Sequence, residues 1–212
     1  MKLAAFHDLV CDAIAQGKHV TVAVERPTSE QPALDNILTA KDLSSAKESL
    51  LQLHDWKEVL DGRASEAMLR LLVSLRELHR FHPDLKVVAF DAPYAGSPVG
   101  GSRDEAMGHA LLSLNPAKPN DLVLILTGNL HAMQASKRGY DLAAMYLPPK
   151  EILSLEVTDW GGETWSDDAH GGCGPWKGAL GTKRQESLMG YSLIQASRLL
   201  ERWMESCHWA SL

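Results

Sequence analysis

His19-Val20-Thr21-Val22-Ala23-Val24-Glu25 is β-branched, almost wholly apolar, and ends in a carboxylate just ahead of Arg26-Pro27. A run this short and this uniformly apolar reads as a strand buried on both faces, the habit of a parallel sheet covered by helices. Upstream, Leu3, Phe6, Leu9, Val10, Ala13 and Ile14 recur at helical spacing, and Gly17 supplies the left-handed residue that closes the helix. Downstream, Lys86 to Asp91 is a second strand that again ends in a carboxylate. Asp121 to Thr127 is a third, leading into Gly128-Asn129-Leu130-His131, and Glu151 to Thr158 reads as a fourth, before Asp159-Trp160.

Helical segments lie between the strands. The crossover from 26 to 85 holds pieces around Ala33–Leu38 and Ala46–Leu53, then a helix with Met68, Leu71, Leu72, Leu75 and Leu78 on its apolar face. It is longer than a βαβ link requires, so part of it is a candidate lid. A Gly/Pro/Ser loop from Ala92 to Gly101 leads into a helix from Arg103 to about Leu114. Gly161 to Gly181 reads as a loop or irregular hairpin. Tyr191 to Met204 has helical spacing, with a strand at Tyr191–Gln195 as the alternative. The expected fold is α/β: one domain over residues 1–212, with a central, mostly parallel sheet flanked by helices on both faces.

Composition fits that reading. Of 212 residues, 45% are hydrophobic and 23% charged, which excludes disorder and fibrous repeats. A net charge of −6, with no basic stripe, argues against a nucleic-acid partner. The apolar run Leu122–Leu126 is too short to span a bilayer. Cys11, Cys173 and Cys207 have neither disulfide-framework nor zinc-ligand spacing. His7, Asp8 and Asp12 interrupt any signal-peptide core near the start, so the expected location is the cytoplasm, or outside the cell by export without a readable signal peptide. Oligomeric state has no signature.

In an open α/β sheet, ligands bind beyond the carboxyl ends of the strands. Here those ends deliver Glu25, Asp91, the Gly128–His131 turn and Asp159-Trp160. Ser102-Arg103-Asp104-Glu105 fits a capping box and puts Arg103 at the first helical position. A cation there is disfavoured by ~0.3–1 kcal/mol, so Arg103 pairs with a carboxylate or with an anionic ligand group. Its structural role would be a salt bridge to Asp91 or Glu25 that holds the loops. Gly128 would allow a tight left-handed turn that lets His131 face the pocket. Tyr94, in the loop after Asp91, could donate to an oxyanion. Asn129, Trp160 and Glu66 complete the ligand-binding candidates, and Trp56 is a further pocket-lining one. Asp61, Arg63 and Glu66 are otherwise explained as residues that open a helix. No GxSxG, Walker, GxGxxG or HExxH motif is present.

Three segments carry a resemblance: Val22-Ala23-Val24-Glu25-Arg26-Pro27, Ser102-Arg103-Asp104-Glu105-Ala106-Met107, and Leu126-Thr127-Gly128-Asn129-Leu130-His131-Ala132. Together they resemble the erythromycin esterase/ChaN-like superfamily, which takes in TraB/Tiki-type proteins and a domain of a bacterial toxin. Its hallmarks are a Glu after the first strand, an Arg that opens a helix, and a Gly-x-x-His turn. The resemblance implies a parallel-sheet fold with Glu25, Arg103 and His131 at the centre of the site. The chain is shorter than the esterases and has no second histidine around Glu25, and its second acidic residue is Glu66 or Asp61.

Two functions from different classes follow. One is a hydrolase of an ester or amide bond, acting on a small molecule or peptide. There His131 activates water, Arg103 stabilises the oxyanion, and Glu25 assists the base or holds a divalent metal that His131 and Asp91 would also ligate. The other is a non-catalytic protein of the ChaN-like type that binds haem or another small ligand through His131 or Tyr94. A bacterial effector using the same pocket inside a host cell is a related reading.

Overall fold

A computed structural model describes residues 2–58, 62–91, 103–114, 116, 118–136, 139, 141–156, 162–167, 173–178 and 191–196. In chain order the helices and strands begin with α1 (Lys2–Ala15), β1 (His19–Pro27), α2 (Gln31–Thr39), α3 (Leu43–Leu51) and α4 (His54–Lys57). There follow α5 (Glu66–Phe81), β2 (Lys86–Asp91), α6 (Arg103–Leu112), β3 (Asp121–Gly128) and β4 (Ile152–Glu156). Last come β5 (Gly162–Asp167), β6 (Cys173–Gly178) and β7 (Tyr191–Ala196). Single 3₁₀ turns occupy Thr28–Glu30, Gly62–Ala64 and Ala143–Tyr146.

The fold class is α/β. One sheet has the order β2-β1-β3-β7-β4, and β1 pairs in parallel with both β2 and β3. The fourth strand, expected beside the others in a parallel sheet, pairs instead with β7, antiparallel, and β7 pairs antiparallel with β3. β7 is thus inserted between β3 and β4 and runs against both. Of the two readings of the tail, the strand given as the alternative at Tyr191–Gln195 is the one found, as β7 through Ala196, and the helical reading is corrected over those residues. The rest of the helical reading, residues 197–204, lies outside the described residues. β5 and β6 form an antiparallel pair in the segment read as a loop or hairpin.

Alternation along the buried strands divides the core in two. Val20, Val22 and Val24 of β1, with Leu122, Leu124 and Leu126 of β3, face a cluster completed by α1, α2, α3 and α5. Ala23, Val123 and Ile125 face the other way, onto Met107 and Leu111 of α6 and the Ala143–Tyr146 turn. Helices therefore cover both faces of the sheet. α1 ends through Gly17, whose φ of 76° is left-handed. α5 begins at Ser65, whose hydroxyl accepts from the Met68 amide, and it buries Met68, Leu71, Leu72 and Leu75 at helical spacing. The 26–85 crossover, read as a candidate lid, packs most of its helices into this first core cluster.

A register shift between Val24 and Pro27 puts an irregularity at the end of β1. It presents two successive charged side chains, Glu25 and Arg26, both buried. Arg26 donates from Nε and Nη2 to the two oxygens of Glu30, at 2.8 and 2.6 Å. The Trp56 ring lies 4.7 Å from its guanidinium carbon, and the indole N–H donates to Glu30 at 3.3 Å. Trp56, read as a pocket-lining residue, is instead the apolar cover of this buried pair. That anchor ties the end of β1 to the stretch of crossover that precedes Arg63.

Candidate active site

Glu25, Asp91, Arg103 and His131 meet at the carboxyl ends of β1, β2 and β3. Arg103 is the first residue of α6, and among the described residues its guanidinium reaches Asp91, Glu25 and His131. Nε and Nη2 donate to the two oxygens of Asp91, both at 2.7 Å. Nη2 also donates to Glu25 Oε1 at 3.0 Å, and Nη1 lies 3.0 Å from His131 Nε2. A bidentate fork of this kind fixes the plane of the guanidinium as well as its charge.

Arg63, explained from sequence as a helix-opening residue, also belongs to the site. It donates to Asp91 Oδ2 at 2.8 Å, and its Nη1 lies 3.5 Å from Glu25. Arg63 arrives from the crossover that covers one face of the sheet, Arg103 from the helix that covers the other. They converge on Asp91, whose side chain is 2% exposed. Glu25 also accepts from the Thr127 hydroxyl at 2.8 Å and from the Gly128 amide at 2.7 Å.

Asp104 was legible only as part of a capping motif, yet it is the partner of His131. Its Oδ1 lies 2.7 Å from His131 Nδ1 and accepts from the Ala143 amide at 3.0 Å. Arginine can only donate, so Nε2 accepts from Arg103 and the ring proton sits on Nδ1, shared with Asp104. The outcome is an Asp–His pair whose acceptor nitrogen, Nε2, takes a hydrogen bond from Arg103 and lies 3.8 Å from Glu25.

The charges reinforce one another. Burial alone would raise the Glu25 carboxyl, but His131 when charged, Arg63, the Gly128 amide and Arg103 together hold it below the usual carboxylate range. Burial would likewise raise Asp104, but the hydrogen bond from His131, the charge of that ring when protonated, the Ala143 amide and Arg103 lower it. Burial opposes the charge on Arg103, yet Asp91 and Glu25 hold its pKa above the ordinary value. A carboxylate lowered in the folded state stabilises the fold above its unfolded pKa, and that stabilisation is lost as pH falls. The melting temperature is therefore expected to drop steeply below about pH 4, the unfolded carboxylate range. Thermal melts across that range check it: Glu25→Gln should flatten the acid limb, and a slope equal to the native one would remove Glu25 as its source.

The remaining candidates are placed as follows. Glu66 is largely exposed and pairs with Arg70 at 2.6 Å, on the solvent side of α5. Asn129 sits in the turn between β3 and His131. Tyr94, Trp160 and Asp61 lie outside the described residues, as does Ser102, the expected N-cap. Gly128 is not left-handed, contrary to expectation; the positive-φ glycines among the described residues are Gly17 and Gly139. A Cβ on Gly128 would lie 3.5 Å from Glu25 Oε2, an ordinary contact, so what this residue contributes is its amide.

Among the described residues, no group of three or more His, Cys, Asp and Glu side chains is disposed to hold a metal ion. The Arg103 guanidinium sits among Glu25, Asp91 and His131, where a shared cation would have to be. These side chains therefore do not fit the divalent metal that was one of the two roles read for Glu25, with Asp91 and His131 as its other ligands. Nor, among the described residues, is any helix long and apolar enough to cross a membrane. Comparison of the chain with protein families, with curated proteins and with solved structures returns no match.

Proposed function

We propose that the protein is a hydrolase of an ester or amide bond, in an erythromycin esterase/ChaN-like fold, with His131 as general base. The observation that carries this reading is the 2.7 Å contact between Asp104 and His131 Nδ1. It leaves Nε2 as an acceptor, and a carboxylate behind Nδ1 stabilises the imidazolium that forms when Nε2 takes a proton.

The chemistry runs through this chain's own groups. A water displacing the Arg103 Nη1 contact would give a proton to Nε2 as its oxygen attacks the carbonyl carbon. The tetrahedral intermediate would then collapse, breaking the C–O or C–N bond, with Nε2 returning that proton to the departing alcohol or amine. Arg103, held in place by Asp91, is the cation beside the developing oxyanion. Glu25, fixed by Thr127 and Gly128, orients Arg103 and faces the histidine. The haem-binding alternative gains less, because both ring nitrogens of His131 are already engaged, by Asp104 and by Arg103.

The test is a panel of small esters and amides, including peptides, assayed with the native chain and with His131→Ala. Expected is turnover of at least one class, lowered about 10²–10⁴-fold in the variant. A substrate cleaved equally well by both proteins would remove His131 from the chemistry.

A further inference from the structure

The Asp104–His131 pair is held by more than its own hydrogen bond. The 3₁₀ turn Ala143–Tyr146 donates to both members. The Ala143 amide bonds Asp104 Oδ1 at 3.0 Å, and the Ala144 amide bonds the His131 carbonyl, also at 3.0 Å. Asp104 comes from the first turn of α6 and His131 from the turn after β3, so this segment bridges two otherwise separate pieces of chain.

What sets the distance of the turn from α6 is Gly108, one helical turn beyond Asp104. A Cβ built on Gly108 would sit 2.6 Å from Tyr146 Cβ and 2.8 Å from two of its ring carbons. Real Cβ atoms do not approach so closely, so a side chain there must push the turn away. His109, the next residue, lies beside the Tyr146 ring, with centroids 5.7 Å apart. Ala143 and Ala144 are both buried against α6, which leaves the turn little freedom to shift while keeping its bonds.

We propose that the Ala143–Tyr146 turn, seated on Gly108, is the positioning device of the Asp104–His131 pair, with Gly108 and Ala143 as positioning residues. The inference about geometry stands on these contacts; its consequence for turnover rests on the hydrolase reading. Displacing the turn withdraws the Ala143 amide from Asp104, and the carboxylate is no longer aimed at Nδ1. A shift of about 1 Å in such a group costs on the order of 10²-fold in rate.

The experiment uses the full chain with ¹⁵N-labelled histidine and reads the proton on His131 Nδ1 by NMR. A short bond to a buried carboxylate moves that proton far downfield, and Asp104→Asn identifies the signal. Gly108→Ala is expected to shift or abolish it, and Gly108→Ala combined with Tyr146→Gly, which removes the clashing atoms, to restore it. Ala143→Pro supplies a second route. Leu142 has φ −102° and ψ 159°, the extended conformation required before proline, and the first position of a turn accepts the fixed φ. That variant removes the N–H that donates to Asp104 and leaves Gly108 untouched.

Loss of the signal in both single variants and its return in the double variant supports the inference. A signal unmoved in both, or lost in the double variant too, overturns it. If Gly108→Ala does not fold, Ala143→Pro decides: a retained signal overturns the inference, and a lost one with sheet amides intact supports it. Where turnover is measurable, kcat should fall about 10²-fold in Ala143→Pro with KM little changed. A native chain that shows the downfield proton but cleaves no ester or amide defeats the hydrolase reading without touching the positioning one.

Discussion

Asp104→Ala is expected to lower kcat by about 10²–10⁴-fold, the contribution of a positioned general base, which His131 can make only while Asp104 orients it. Two effects combine. Without the carboxylate the ring is free to rotate or to adopt the other tautomer, and the imidazolium formed during reaction lacks its counter-charge. Asp104→Asn should be milder. Both the His131 ring and the Ala143 amide point at the same oxygen, Oδ1, which an asparagine can present as well. The tautomer is then kept and the charge is lost. Steady-state kinetics on whichever ester or amide is turned over checks the order native, Asn, Ala. An alanine variant with native kcat would mean that the pair is structural.

Asp91→Ala is expected to destabilise the fold by about 3–5 kcal/mol, because it leaves buried charge without its partner. Asp91 is almost fully buried and accepts from both arginines, three donors on its two oxygens. Glu25 stays near both guanidiniums, at 3.0 and 3.5 Å, and can take over part of the pairing, which favours the lower end of that range. At roughly 2–4 °C per kcal/mol for a chain of this size, the melting temperature should fall by about 6–20 °C. Exposed ion pairs contribute only ~0–1 kcal/mol, so a melt lowered by a degree or two would mean that water already screens the cluster. Asp91→Asn, which keeps the shape and one acceptor oxygen, should fall between.

Much of the fold was legible from local pattern. β1, β2 and β3 are short apolar runs with punctuated ends, and α5 repeats its leucines at helical spacing. Each signal lies within one segment, so no tertiary information was needed. β7 was not legible in the same way. Its pairing with β3 and β4 joins residues far apart in sequence, and because Ile194, Leu199 and Leu200 also fit a helical period, the strand was readable only as an alternative. The crossover was legible as helical, but which surface it covers was not. Only the packing of α2, α3 and α5 on one sheet face settles that most of it is core.

The site divides along the same line. Glu25, Asp91, Arg103 and His131 were readable because each follows or opens a well-marked element, and a shared strand-end register brings such positions to one sheet edge. Arg63 and Asp104 were not, because sequence gives both an adequate local explanation: a residue opening a helix and a member of a capping motif. Nothing in a one-dimensional pattern says that Arg63 crosses from the opposite face to Asp91, or that Asp104 turns to His131. Sequence by itself therefore determined the element types, the α/β class and the strand-end position of the ionisable groups, since these depend on periodicity and turn chemistry within a few residues. Tertiary structure alone decided the insertion of β7, the second arginine, the Asp104–His131 pairing and the seat of the Ala143–Tyr146 turn on Gly108. Each of these depends on side chains and backbone atoms brought within about 3 Å by packing between segments that the sequence does not connect.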